Sequence, residues 1–184
     1  TTGEHDLRTV EPTISPSMDI QVSSNFERLL FEVHDRDGGR VTELMTQLVQ
    51  QKRFGIAREA LERICGCFAA RRVGEEETLA TIRDVYQQTG FQIDPHTAVG
   101  VSAARQEAAA STEAPTVVLG TAHPAKFPDA VFQATAERPV LPAALADLYD
   151  RQERYDVLPA DTERVMAHSR LRLDQSATIA RAGT

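Results

Sequence analysis

The chain has 184 residues, 41% hydrophobic and 26% charged, a globular composition that excludes wholesale disorder. With 20 basic against 27 acidic residues the formal net charge is −7, so there is no general electrostatic attraction to DNA, RNA or anionic lipid. No apolar run approaches the roughly 18–20 residues of a membrane-spanning helix, and no charged-then-apolar secretory leader is visible. The two cysteines, Cys65 and Cys67, are too few for a disulfide framework, and a reducing cytoplasm is the expected compartment. The chain begins Thr1-Thr2-Gly3 rather than with Met, which suggests a processed or truncated product. Only Lys52 and Lys126 are lysine, so chemistry that needs a lysine amine has two candidates.

Residues 1–16 carry Thr, Pro, Ser and charge with little periodicity and read as an extended lead-in, poorly tied down by itself. Ser24 and Glu27 form an S-x-x-E pattern that predicts a capping box. Phe26, Leu29, Leu30 and Val33 then recur at helical spacing, and Asp37-Gly38-Gly39 is expected to close that helix with a turn. Val41, Leu44, Met45, Leu48 and Val49 give the cleanest amphipathic helix. Ile56, Ala57, Ala60, Leu61 and Ile64 repeat the pattern. Cys67 to Ala70 is expected to form a short strand or turn, with both thiols buried or partly buried.

Glu75, Glu76 and Glu77 open the next helix, where the dipole favours negative charge; Leu79, Ile82, Val85 and Tyr86 form its buried stripe, and Gly90 stops it. Asp94-Pro95 is a strong start signal for a helix to about Ala110, followed by a loop over Ser111–Pro115. Thr116 to Leu119 is short, apolar and β-branched, and predicts a buried strand of a parallel sheet. Helices are expected over Pro128–Ala136, Pro142–Asp150 and Asp161–Leu173, with a frayed tail from Ala177. One strand makes no sheet. The chain is therefore either a helical bundle with a stray extended segment or a helix-rich α/β piece whose sheet partners lie elsewhere.

Three places carry candidate chemistry. At the carboxyl end of the expected strand, Gly120 would allow close backbone approach to a flat ligand. The Thr121 hydroxyl could meet a ring nitrogen without bringing charge. A polar strand-to-helix turn explains the same residues. Asp94, His96 and Thr97 sit at a helix start that favours anions, and an ordinary cap explains them equally well. Ser15 to Asn25 gathers small polar side chains that suit anion binding or plain capping. No Cys or carboxylate stands at metal-ligand spacing beside His96 and His123, and Cys65-Gly66-Cys67 lacks the paired spacing of a structural zinc site.

Together, SPSMDIQVSSNFERLLFE (Ser15–Glu32), DPHTAVG (Asp94–Gly100) and TAHPAKFPDAV (Thr121–Val131) resemble threonine synthase in content, order and spacing. The resemblance covers about Thr13 to Leu173 and only the carboxyl-terminal portion of that family. It implies an α/β fold, helix-rich with few strands: the carboxyl-terminal part of a fold type II (tryptophan synthase β-like) enzyme that uses pyridoxal 5'-phosphate. Residues 17–173 would belong to the large domain, with a helical insert at about 38–90, and residues 174–184 would be the tail. The implied activity is that of a lyase of threonine biosynthesis, acting on O-phospho-L-homoserine as its small-molecule substrate.

The family's Schiff-base lysine and its Gly/Asn-rich phosphate loop lie upstream of anything matched here. No catalytic residue is therefore assigned, the amino-terminal part of the same enzyme becomes a required partner, and the chain by itself is expected to be inactive. Lys52 reads as a solvated surface residue. The resemblance implies cofactor contacts at Thr121, Asp94, His96 and Thr97. Chemistry alone suggests Asp19, Ser23, Ser24, Asn25, His123 and Lys126 near the substrate phosphate, with a surface salt bridge as the plain alternative for Lys126. The competing readings are a related fold type II enzyme with another amino-acid substrate and a stand-alone helical interaction module.

Overall fold

A computed structural model of the chain describes residues 2–108 and 115–182. It divides the chain into two units, Thr1–Leu141 and Pro142–Thr184. In the first, strand β1 (Glu4–Asp6) precedes helices α1 (Ser24–Val33) and α2 (Gly38–Gln51). Strand β2 (Arg53–Gly55) and helices α3 (Arg58–Cys65), α4 (Glu75–Thr89), α5 (Pro95–Ala108) and α6 (Pro128–Thr135) follow. Short 3-10 turns stand at Pro16–Met18 and Pro124–Lys126. The second unit has 3-10 turns at Ala143–Leu145 and Leu148–Asp150, then helix α7 (Thr162–Ala182). Among the described residues no helix is long and apolar enough to cross a membrane.

The opening segment is held by pairing. β1 and β2 are antiparallel, with His5 opposite Phe54, and the ladder is extended by Leu7 N to Lys52 O at 2.8 Å and Ile56 N to Gly3 O at 2.9 Å. The His5 ring stacks on Phe54 at 5.1 Å, and its Nε2 lies 3.0 Å from the Gln21 carbonyl oxygen. Lys52 turns the chain between α2 and β2 with a left-handed backbone, and it is exposed.

Two apolar clusters fill this unit. Leu30, Leu44, Leu48 and Phe54 pack with Leu7, Val41, Met45 and Ile56 around α1, α2 and the β pair. Ile82, Ala98 and Ala134 pack with Leu79 and Ile93 where α4 meets α5 and α6. Two of its members, Ala98 and Ala134, are small. Thr78 and Thr81 of α4 are buried without orphaned hydroxyls, because each donates to a carbonyl one turn back, on Gly74 and Glu77, at 2.8 Å. Tyr86 Oη donates to Glu137 Oε2 at 2.5 Å, joining α4 to the chain after α6. That hydrogen bond holds the phenol above its ordinary ionisation range, with burial and the carboxylate charge adding to it.

Several expectations are corrected. The cap of α1 is Ser23, not Ser24, and its side chain makes no capping bond; Ser24 is already helical and cannot serve as a cap. Asp37 does not close α1 but caps α2, with Oδ1 accepting from Gly39 N at 2.8 Å and Arg40 N at 3.1 Å. The turn falls instead on Asp35 and Arg36, both at positive φ, 57° and 64°. Arg63 of α3 steadies it, donating to Val33 O at 2.7 Å and to Asp35 Oδ1 at 2.9 Å.

Thr116–Leu119 has no strand pairing among the described residues, and Val117 and Leu119 are 79% and 76% exposed. A strand needs a ladder partner, and composition alone cannot supply one. Of the strand or turn expected at Cys67–Ala70, the chain makes the turn, at Gly66–Cys67, and both cysteines are exposed and free rather than buried. Pro142–Asp150 forms two 3-10 turns rather than one helix, and α7 continues to Ala182, past the expected Leu173. The expected loop at Ser111–Pro115 and the end of α5 at Ala110 lie outside the described residues, apart from Pro115. Gly183 and Thr184 of the expected tail lie outside them too.

Leu44 is fully buried on α2, whereas Val49 on the same helix is 69% exposed. Leu44→Ala is expected to cost about 2–5 kcal/mol and Val49→Ala no more than about 0.5 kcal/mol, read from urea unfolding midpoints. Glu137→Gln is expected to lower the Tyr86 ionisation midpoint in an alkaline ultraviolet titration. An unmoved midpoint would show that the carboxylate does not control it.

Candidate functional site

The site grows from the first turn of α5. Pro95 opens the helix without forfeiting a hydrogen bond, since an amide at that position has no intrahelical acceptor. The free amides behind it are met by Asp94, whose Oδ1 accepts from His96 N at 2.9 Å and more weakly from Thr97 N at 3.4 Å. Thr97 Oγ1 donates to the other carboxylate oxygen, Oδ2. The Asp94 side chain is fully buried, so each of these donors replaces water that the carboxylate has lost. The positive end of the helix dipole adds to the attraction.

His96 completes the corner. Its side chain is only 7% exposed, its Nδ1 lies 3.0 Å from Asp94 Oδ1, and its ring packs at 4.7 Å against Phe127. Across the fold, the backbone amide of Ser17 donates to His96 Nε2 at 3.1 Å. A nitrogen that accepts from an amide carries no proton. The ring proton therefore sits on Nδ1 and points to Asp94. The Asp94–His96 pair has the form of a catalytic dyad, but the nitrogen a dyad would use as base is already capped by an amide donor.

The Thr121 segment passes the same helix. A Cβ on Gly100 would meet Val118 Cγ1 at 3.2 Å, so the chain before Gly120 crosses α5 at near-contact distance. A Cβ on Gly120 would lie 3.8 Å from Thr97 Oγ1, which sets Gly120 beside the Asp94 corner. Thr121 follows and is exposed. His123 Nδ1 accepts from Ala125 N at 3.1 Å and so caps the 3-10 turn at Pro124–Lys126. Lys126 is exposed and forms no ion pair with any described residue.

The Ser15–Asn25 segment is tied at one end to Asp19. That carboxylate accepts from Thr13 N at 2.7 Å and from Thr13 Oγ1 at 2.8 Å, closing a loop over buried Ser15. Ser23 is the cap of α1, and Ser24 and Asn25 are its first residues; Asn25 Oδ1 accepts from Arg28 Nη2. No hydrogen bond among the described residues joins Asp19, Ser23, Ser24 or Asn25 to the His96 corner. What reaches it is the Ser17 amide, which sequence reading passed over because a backbone donor leaves no mark on residue type. Phe127 was missed similarly, as one more apolar residue after a turn. Among the described residues no three His, Cys, Asp or Glu side chains converge as metal ligands.

Residues 97–168 match the family model described as the carboxyl-terminal part of threonine synthase. Threonine synthase of Pseudomonas aeruginosa is 46% identical over 166 residues, which is 90% of this chain and 35% of that protein. The crystal structure of a threonine synthase from Brucella melitensis with pyridoxal phosphate bound superposes with a TM-score of 0.81 at 49% identity, over 91% of this chain and 36% of that one. The chain is similar to the carboxyl-terminal part of threonine synthases.

Yeast threonine synthase superposes with a TM-score of 0.80 at 32% identity, over 95% of this chain and 39% of that one. The chain thus spans about a third of the length of the threonine synthases it matches, over their carboxyl-terminal part. The family match begins at Thr97, on the buried corner, and takes in Thr121, His123 and Lys126. The helix-rich architecture with one small sheet agrees with these relatives.

Asp94→Asn keeps an acceptor for the helix amides but loses the acceptor on its second atom. It is expected to cost about 1–2 kcal/mol, and Asp94→Ala about 2–3 kcal/mol because it also leaves the amides bare. Equal unfolding midpoints for the two variants would show that the oxygen retained by Asn contributes nothing.

Proposed function

We propose that the chain is the carboxyl-terminal part of a pyridoxal-phosphate-dependent threonine synthase whose complete form converts O-phospho-L-homoserine and water to L-threonine and phosphate. The observation that carries this reading is the convergence of Ser17, His96 and Phe127 beside Asp94, one residue from each of three sequence segments that resemble the family. Identity of 46% to a named threonine synthase over nine-tenths of the chain supports it, and so does the pyridoxal phosphate bound in the Brucella melitensis relative.

The residues present fit one edge of such a cofactor. Thr121 offers an exposed, uncharged hydroxyl, and Gly120 beside it has no side chain to block the approach of a flat ring. A neutral hydroxyl at the pyridine nitrogen tunes the ring by hydrogen bonding rather than by charge. Bound, the cofactor supplies an electron sink that stabilises negative charge at the α and β carbons of the substrate. In this reading Thr121 meets the ring edge, and Asp94 and Thr97 hold the wall behind Gly120. Ser23, Ser24 and Asn25 at the start of α1, with Asp19, His123 and Lys126, stand as the polar groups available to the substrate phosphate. The lysine that anchors the cofactor and takes protons to and from carbon comes from the amino-terminal part of the enzyme. This chain's own residues bind and orient; none of them is assigned a proton transfer.

The exposed Val117 and Leu119 fit the same reading, because a strand of the complete enzyme would be covered there by its sheet neighbours. The purified 184-residue chain, given pyridoxal phosphate and O-phosphohomoserine, is expected to release phosphate no faster than a blank. The complete gene product is expected to form threonine and phosphate in equal amounts. Turnover by the chain alone would overturn its inactivity, and no threonine from the complete product would overturn the assignment.

A further inference from the structure

We propose that His96 is a positioning residue. Fixed as the Nδ1–H tautomer between the Asp94 carboxylate and the Ser17 amide, it locks the Ser15–Asn25 segment onto the amino terminus of α5. The role differs from the cofactor contact that the resemblance implies for this residue. Its consequence for the substrate rests on the function proposed above, but the hydrogen-bond assignment does not.

The geometry leaves the ring little freedom. Both nitrogens are engaged, at 3.0 Å to Asp94 Oδ1 and 3.1 Å from Ser17 N. Phe127 covers the ring at 4.7 Å, and 7% exposure of the side chain leaves little room for another partner. Flipping the ring, or moving its proton to Nε2, would set an N–H against the Ser17 N–H. It would also leave Asp94 without one of its donors. Ser17 is exposed, but a lost donor at the fully buried Asp94 carboxylate and opposed N–H groups at Nε2 outweigh the small intrinsic difference between imidazole tautomers. The ring therefore acts as a rigid strut rather than as an acid or base.

The strut joins parts of the chain that little else holds together. The Pro16–Met18 turn exposes Met18 and Ile20 and makes only local bonds, apart from this one. On its far side the same segment is fastened through Gln21, whose carbonyl meets His5 Nε2 at 3.0 Å and whose side chain accepts from Arg8 N at 2.9 Å. The start of α1, with Ser23, Ser24 and Asn25, lies a few residues beyond. The segment leading to it is thus fastened at two points by imidazoles, His5 on one side and His96 on the other.

Two substitutions separate the bonds. A Gln side chain carries its amide near the imidazole Nε2 position and an Asn near Nδ1. His96→Gln thus keeps an acceptor for Ser17, and His96→Asn keeps a donor for Asp94. Nitrogen-detected NMR of the full chain is expected to show one protonated nitrogen on His96, Nδ1. The Ser17 amide is expected to exchange at least about tenfold more slowly than in an open turn, to stay protected in His96→Gln and to lose protection in His96→Asn. A protonated Nε2, or equal Ser17 protection in the two variants, would overturn the proposal.

In the complete enzyme, KM for O-phosphohomoserine is expected to be about fivefold or more higher in His96→Asn than in His96→Gln. Equal KM values would refute the positioning role. Absence of turnover in the unsubstituted enzyme would refute the function proposed above, while the NMR result would still decide the role of His96.

Discussion

A carboxylate with no exposed surface must find donors for both oxygens or destabilise the fold that buries it. Asp94 finds them within three residues of itself: two amides and a hydroxyl from the first turn of α5, and the imidazole of His96. That local solution has long-range effects. Because His96 Nδ1 donates to Asp94, Nε2 is left as an acceptor and takes an amide from residue 17. Because the helix start is rigid, Gly120 can pass beside Thr97 and Val118 can press against Gly100. The candidate site is thus one buried anion with its donors, around which two other segments are arranged.

The helices were legible because their signals are local. Asp94-Pro95 reads as a start from the chemistry of two adjacent residues, and Gly90 ends α4 at a φ of 74°, as a left-handed cap should. The spacing of Leu44 and Leu48 predicts a buried stripe, and both are buried. The errors occur where structure depends on something distant. Thr116–Leu119 has the composition of a strand, but a strand exists only with a partner. β1 and β2, three residues each, pair across a long stretch of intervening chain and have no periodicity long enough to read. At the helix start, residue types singled out Asp94, His96 and Thr97 as a cap or a site. They could not show that an amide would engage one imidazole nitrogen or that Phe127 would cover the ring.

The two apolar clusters show the same division. The first is built from large side chains and closed by the His5–Phe54 stack, so the opening segment is ordered by contacts on its far side rather than by its own sequence. The second gathers Ile82, Ala98 and Ala134 where α4 meets α5 and α6, and α4 also buries Thr78 and Thr81, whose hydroxyls bond back to their own helix. Ser102 is accommodated differently. It donates across to Glu77 of α4, whose other partner is Gln106 one turn further along α5. Close approach and satisfied polar groups together keep α5 in place, and α5 carries the Asp94 corner at its start.

These constraints bear on what chemistry the chain's own residues can do. A proton-transfer group needs a free lone pair or a free proton facing the substrate. His96 has neither, since its acceptor nitrogen is filled by an amide and its proton is held by a carboxylate. His123 uses Nδ1 to cap its own turn. Of the two lysines, Lys52 lies at the end of α2 beside β2, and Lys126 ends an exposed turn. What Asp94, His96 and Thr97 share is therefore geometric: a buried carboxylate and its donors whose positions are fixed by one another. Such preorganisation requires that Asp94, His96 and Thr97 be committed to one another, and that commitment is what removes His96 from acid–base duty.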